Sequence, residues 1–213
     1  MTPLARLRRA AVRFASRRTS RLAARLASAR EGVAAIEFAL VAPVFLLMML
    51  GVFDIGQMAY AKAILNGAVA KAARDGTLET ADTTAADARV AAAIKPILPN
   101  AIVSSTRSSF YDFADINRAE KFTDKNGDGT CDNGEPYVDE NRNGSWDANI
   151  GVAGNGGAGD VVLYTVTVKY MPIFKIATLP GGDSPRTLTA VGVRKNQPFA
   201  NQNGYGSSAG TCS

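Results

Sequence analysis

Hydrophobic and polar positions along the 213-residue chain fall into stretches of different period. The first stretch is unbroken: from Val33 to Phe53, 21 residues pass with Glu37 as the only charge. At 1.5 Å per residue a helix of that length spans about 30 Å, the thickness of a bilayer core. Beyond it the pattern becomes amphipathic. Met58, Ala61, Leu65, Ala68, Val69 and Ala72 recur at three- and four-residue steps, and Asp75-Gly76 supplies a stop. One helix is therefore predicted over 33–76, with 33–53 in lipid. Pro43 removes one backbone hydrogen bond and predicts a kink, while Ala35, Ala39 and Ala42 allow close helix packing. After a polar turn, Asp82, Thr83 and Thr84 offer caps for a shorter helix with an apolar face of Val90, Ala91 and Ile94, ended by Lys95-Pro96. Ala101-Ile102-Val103, Ser109-Phe110-Tyr111, Asp160–Tyr170 and Thr187–Val193 read as strands, the last two connected through the turn Leu179-Pro180-Gly181-Gly182. The predicted fold class is α+β. A long helix precedes an extracytoplasmic domain, 77–200, with a small antiparallel sheet and a Gly/Asn/Asp-rich insertion at 124–160; 201–213 reads as a flexible tail.

Charge fixes how the apolar run sits. Residues 1–30 hold nine Arg and no Asp or Glu, so the net charge of +5 leaves about −4 for the rest of the chain. The basic balance thus belongs to a leader, 1–32, that orients a membrane span and touches anionic lipid; it implies no nucleic-acid partner. The positive-inside rule places this end in the cytoplasm and everything after Phe53 across the membrane. A secretory signal is the lesser alternative. Ala59-Tyr60-Ala61 offers an A-x-A match, but the run is longer than an ordinary h-region and carries Glu37.

A carboxylate inside such a helix costs about 2 kcal/mol or more unless it meets a cation, snorkels or is protonated. Glu37 stands five residues after Gly32, within Gly32-Val33-Ala34-Ala35-Ile36-Glu37-Phe38. This string, the following Ala39–Pro43 and the later Ala72-Ala73-Arg74-Asp75-Gly76 resemble the TadE/TadG-like pseudopilins, minor pilin-like proteins of tight-adherence (Flp-type) pilus machines. Val193–Phe199 resembles a second family signature, with Lys195 inserted and Gln197 in place of Glu. The resemblance implies a pilin-like architecture, an inner-membrane protein, cleavage by a prepilin peptidase after Gly32, and contacts with other pilins and pseudopilins and with the inner-membrane assembly platform. Its acidic fifth and aromatic sixth residues fall on Glu37 and Phe38. Cleavage would leave a charged α-amino group on Val33. Five residues advance a helix by about 7 Å, so Glu37 meets its own amine poorly but could reach that of a neighbouring subunit displaced along the bundle. In low dielectric such a pair is strong, and leaving it unmade is costly.

The insertion carries a second motif. Asp124, Asn126, Asp128, Gly129, Thr130, Asp132 and Glu135 fit the calcium-loop pattern D-x-[DN]-x-[DN]-G-x5-E at every position. Hard Ca²⁺ takes six to eight oxygens, which alternate residues around a glycine turn can supply, with a bidentate acid at the end. Asp139, Asn141, Asn143, Gly144, Ser145 and Asp147 repeat the alternation but put Ile150 where that acid belongs, so the second loop would be weaker or would borrow Glu135 or Asp160. Asx and Gly residues also form solvated turns without metal. Pro136 directly after Glu135 argues against an EF-hand proper, and the expected calcium is structural.

Cys131 and Cys212 both fall on the translocated side, where an oxidising compartment permits a disulfide. Histidine is absent from the chain, neither cysteine has an activating partner, and no phosphate-binding or nucleophile motif occurs, so no catalytic site is expected. Three readings follow: a processed pseudopilin, an uncleaved bitopic membrane protein whose calcium-stabilised domain binds a surface partner, and a secreted domain cut near Ala61.

Overall fold

The computed structural model describes residues 31–77, 82–132, 134–174, 184–198 and 206–213. The leader 1–30, the turn Leu179–Gly182, Phe199 of the second signature and residues 201–205 of the expected tail lie outside the described residues.

The chain divides into two compact units, 1–53 and 54–213. Helix α1, Glu31–Asp75, contributes to both. Its first part is apolar and exposed: Phe38, Leu40 and Met48 are 69–77% exposed, and within Gly32–Asp75 the helix is long and apolar enough to cross a membrane. The other part reverses this, because Ala61, Leu65, Val69, Ala72 and Ala73 are buried at helical spacing. Gly76 donates to the Ala72 carbonyl and ends the helix at the expected stop.

Helix α2, Thr83–Ile94, is capped by the Asp82 carboxylate, which accepts from Ala85 N–H, and buries Ala86, Val90 and Ile94. The strands are β1 Ile102–Phe110, β2 Pro136–Asp139, β3 Val152–Ala153, β4 Val161–Tyr170, β5 Arg186–Lys195 and β6 Ser208–Thr211. β3, β1, β4 and β5 form an antiparallel sheet in that order, while β2 and β6 form a separate ribbon. β4 alternates through Tyr164, Val166, Val168 and Tyr170, whose side chains pack with α1, α2 and Leu188 and Ala190 of β5 in one core. α1 and β5 approach closely at Gly192, where a Cβ would stand 2.8 Å from that of Ala73. Between α2 and the sheet, Asp87 accepts from Arg107, Ser105 and Tyr164, and the Arg107 guanidinium lies 4.1 Å from the centre of the Tyr164 ring.

Two differences from the sequence reading stand out. The two short stretches expected in 101–113 are one continuous strand, β1, paired to β4 from Ile102↔Lys169 to Phe110↔Val161. Its serines are held by hydrogen bonds instead of apolar packing: Ser105 donates to the Asp87 carboxylate, and Ser109, buried, donates to the Val152 carbonyl. The expected tail, in turn, ends in β6, which pairs with β2 from Ser208↔Asp139 to Thr211↔Pro136, and in Cys212, bonded to Cys131 with Cα atoms 5.8 Å apart. Small, polar residues hid a strand held by a crosslink and backbone ladder rather than by apolar burial.

Candidate functional site

The first group of candidate residues lies on α1. Gly32, Val33, Glu37 and Phe38 are all helical and exposed, and a Cβ at Gly32 would meet nothing within 4 Å. Glu37 is thus an exposed carboxylate within an apolar run, and among the described residues nothing packs at Gly32.

The second group lies on two loops joined by β2. In loop 124–135 the Asp124 carboxylate accepts from Gly127 N–H at 2.5 Å and Gly129 N–H at 2.9 Å. Asn126 Oδ1 accepts from Asp128 N–H, and Asp128 Oδ1 accepts from the N–H and hydroxyl of Thr130. The Thr130 bonds hold the Asp128 carboxyl below the usual carboxylate range. Gly129 adopts φ +79°, which lets the chain turn back there. Glu135, 3% exposed, closes the loop: its carboxylate takes Lys125 N–H at 2.6 Å and Asp132 N–H at 3.3 Å. The Cys131–Cys212 bond and the Cys212 N–H to Glu135 carbonyl bond fasten this end to β6.

Loop 139–150 repeats the plan. The Asp139 carboxylate accepts from Asn143 N–H and Gly144 N–H, Asn141 Oδ1 from Asn143 N–H, and Asn143 Oδ1 from Ser145 N–H. Gly144 has φ +82°, matching Gly129. The Asp147 carboxylate takes both Asn141 and Asn143 side-chain amides. Ile150 does not face the loop; it is buried in a small cluster with Phe110 and Val161. The expected loan from Glu135 or Asp160 is not what closes the second loop. Both Glu135 oxygens serve the first loop, and Asp160 Oδ2 accepts Gly157 N–H in a turn of its own.

Glu120 takes that place. It is 2% exposed, its Oε1 accepts Glu140 N–H at 2.6 Å, and its Oε2 accepts Asp147 N–H at 3.1 Å. These are the second and ninth residues of the loop, as Lys125 and Asp132 are of the first. Segment 120–123 reaches the loop because it runs beside β2: Val138 N–H bonds the Lys121 carbonyl, Thr123 N–H bonds the Pro136 carbonyl, and Phe122 pairs with Tyr137. Trp146 Nε1 donates to the Glu120 carbonyl, and its ring meets Phe122 edge-on. Sequence spacing gave no sign of Glu120, since it lies outside the loop it closes. The Arg118 guanidinium, bonded to Glu140, holds that carboxyl below the usual range.

Chemically, the two loops gather oxygen donors around glycine turns. Among the described residues no three of the Asp, Glu and Cys side chains form a group placed to hold a metal ion; the carboxylates bind backbone N–H groups instead.

Residues 32–74 match the family model described as TadE-like protein, whereas no curated protein and no solved structure matches the chain. The match covers α1 from Gly32 almost to its end and does not reach the sheet or the loops. Residues 32–74 are thus similar to the TadE-like family, consistent with a TadE-like pilin of the Tad/Flp pilus system.

Proposed function

We propose that this chain is a membrane-anchored minor pilin-like component of a tight-adherence (Flp-type) pilus, cut by a prepilin peptidase after Gly32. The observation that carries the reading is a coincidence of position: the TadE-like match begins at Gly32, and the only charge in the following apolar run is Glu37. A new Val33 amine and a Glu37 carboxylate of neighbouring subunits would neutralise each other in lipid, giving both attraction and axial register. N-terminal sequencing and intact mass of the protein from its native membrane test this. The expected start is Val33, lost when Gly32 is made bulky, and Glu37→Ala then abolishes incorporation into the assembly. A start at Met1 overturns the processing and leaves a bitopic anchor with a surface domain.

Calcium is the ordering ion in the same proposal. The complete motif of loop 124–135 supports it, as does the repetition of its turn geometry in loop 139–150. Asp124, Asn126, Asp128, the Thr130 carbonyl and Glu135 would hold one ion. Asp139, Asn141, Asn143, the Ser145 carbonyl and Glu120 would hold the other. Asp132 and Asp147 stand at the ninth positions, where a water commonly intervenes. Bound calcium would relieve repulsion among clustered carboxylates and stiffen the loops. Thermal melts of the full chain in detergent with calcium, magnesium or chelator check it: calcium alone should raise Tm, and equal melts in all three would remove the ion from the proposal.

A further inference from the structure

One end of the four-stranded sheet carries exposed apolar side chains. Ile102 opens β1 and is 71% exposed; Met171, Ile173 and Phe174 follow β4, with Ile173 63% exposed. They share that end because Ile102 pairs with Lys169 and Tyr170 pairs with Arg186. The same end is tied to the first extramembrane turns of α1. Arg186 forms a 2.5 Å ion pair with Asp54, and Gln57 Nε2 donates to the Ile97 carbonyl at 3.1 Å. Asp54 is the residue directly after the 21-residue apolar run.

That connection sets a depth. If 33–53 fills a hydrocarbon core of about 30 Å, the headgroup layer on each side is about 6 Å thick, and Asp54 begins within it. Whatever is fastened to Asp54 and Gln57 lies in or against that layer. Exposed apolar residues there would be a solubility liability facing water but are stable at a headgroup boundary. The charges agree. Asp54 is neutralised by Arg186, and the exposed cations of this end, Lys95 and Lys169, suit anionic headgroups.

We propose that this end of the sheet, through Ile102, Met171, Ile173 and Phe174, rests in the lipid headgroup layer as a second membrane contact beside the exit of α1. The proposal rests on the membrane anchoring of 33–53, and on neither cleavage nor calcium.

Trp146, the only tryptophan of the chain, sits in loop 139–150 and provides an internal reference. The full chain is reconstituted into vesicles of zwitterionic and anionic lipids with brominated acyl chains, and tryptophan emission is compared with unbrominated vesicles. Ile173→Trp should add a blue-shifted emission that bromine quenches, and Ile102→Trp, at an independent exposed site, should do the same. Val152→Trp, exposed at the far end of β1 seven residues from Ile102 (about 23 Å), should stay unquenched like Trp146. Phe45→Trp, inside the apolar run, reports the anchoring itself. Phe45→Trp quenched with neither Ile173→Trp nor Ile102→Trp quenched overturns the lipid contact alone. Phe45→Trp unquenched overturns the anchoring and the lipid contact together. A blue shift at Ile173→Trp that rises with protein density but ignores bromine would make the patch a contact between copies and also overturn the proposal.

Discussion

Loop 124–135 closes on its own twelfth residue, Glu135, whereas loop 139–150 closes on Glu120, nineteen positions before it begins. Both carboxylates are nearly buried, and both bridge the backbone N–H groups of the second and ninth loop residues. The difference lies in the position that spacing would assign to the acid. In the first loop that residue borders β2 and the Cys131–Cys212 bond, away from the main core. In the second it is Ile150, packed with Phe110 and Val161 against the end of the sheet. One side chain cannot both seal an apolar cluster and bind the loop's backbone N–H groups, so the closing acid comes from the neighbouring strand-like segment. A loop motif is thus a spatial arrangement of donors and acceptors, and linear spacing is only the commonest way to build it.

The largest expected effect falls on one loop alone. Replacing Cys131 and Cys212 by Ser opens a loop of 81 residues and should cost about 4 kcal/mol in urea unfolding of the full chain in detergent. Hydrogen exchange should show protection lost in β6 and loop 124–135 while loop 139–150, held by Glu120, keeps its own. Equal loss in both would mean the loops are one unit and the comparison is empty.

Next come the closing acids. Glu120→Ala leaves at least two loop N–H groups without their acceptor in a site closed to water, and should cost about 3 kcal/mol, similar to Glu135→Ala. A spacing-based view makes Glu120 an ordinary residue, with an effect within about 0.5 kcal/mol. Ile150→Glu decides between the two views. It restores the acid at the twelfth position yet should destabilise by about 3 kcal/mol, because the carboxylate would enter the Phe110–Val161 cluster. It should fail to rescue Glu120→Ala, and rescue would sink the assignment of Glu120.

The same contrast explains what the chain discloses in its sequence. α1, its stop at Asp75 and the membrane-length run rest on period and composition, which act locally. They were legible, as were β4 and β5, where alternation is strong. β1 was only half legible, because Ser104, Ser105, Ser108 and Ser109 interrupt its apolar alternation; ladder bonds to β4 define it. β2, β3 and β6 are short, and their residues make backbone pairs that depend on partners far along the chain. The oxygen donors of both loops were visible by spacing, and the missing acid of the second was visible only as a gap. Glu120 fills it through the pairing of 120–123 with β2, a contact that no local pattern encodes.

A control for the loops lies in the helix–sheet core. Burial works to raise the Asp87 pKa, but hydrogen bonds from Arg107, Tyr164 and Ser105 outweigh it and hold the carboxyl below its ordinary value of 3.8. A carboxyl lowered on folding adds stability that is complete above the ordinary value and is lost as pH falls through the folded one. Asp87→Asn should cost about 2 kcal/mol at pH 7 and progressively less below pH 4, with no change in the response to calcium. A constant cost at all pH values would mean that the ionised form of Asp87 contributes nothing.

The smallest effect concerns the fourth loop position, where the two loops adopt one conformation with different residues. Gly127 has φ +78° and Arg142 has φ +59°. A left-handed backbone is open to glycine and costs most other residues about 1 kcal/mol, while Asn visits it readily. The second loop therefore carries a strain that the first avoids. Arg142→Asn should stabilise by about 0.5 kcal/mol, since it relieves the strain without glycine's added chain entropy. Gly127→Ala should destabilise by about 1 kcal/mol for the reciprocal reason, its added methyl having open space around it. Opposite signs in paired thermal melts would establish that the loops share a backbone plan down to this residue. Equal signs would confine the likeness to the closing carboxylates and the glycine turns at Gly129 and Gly144.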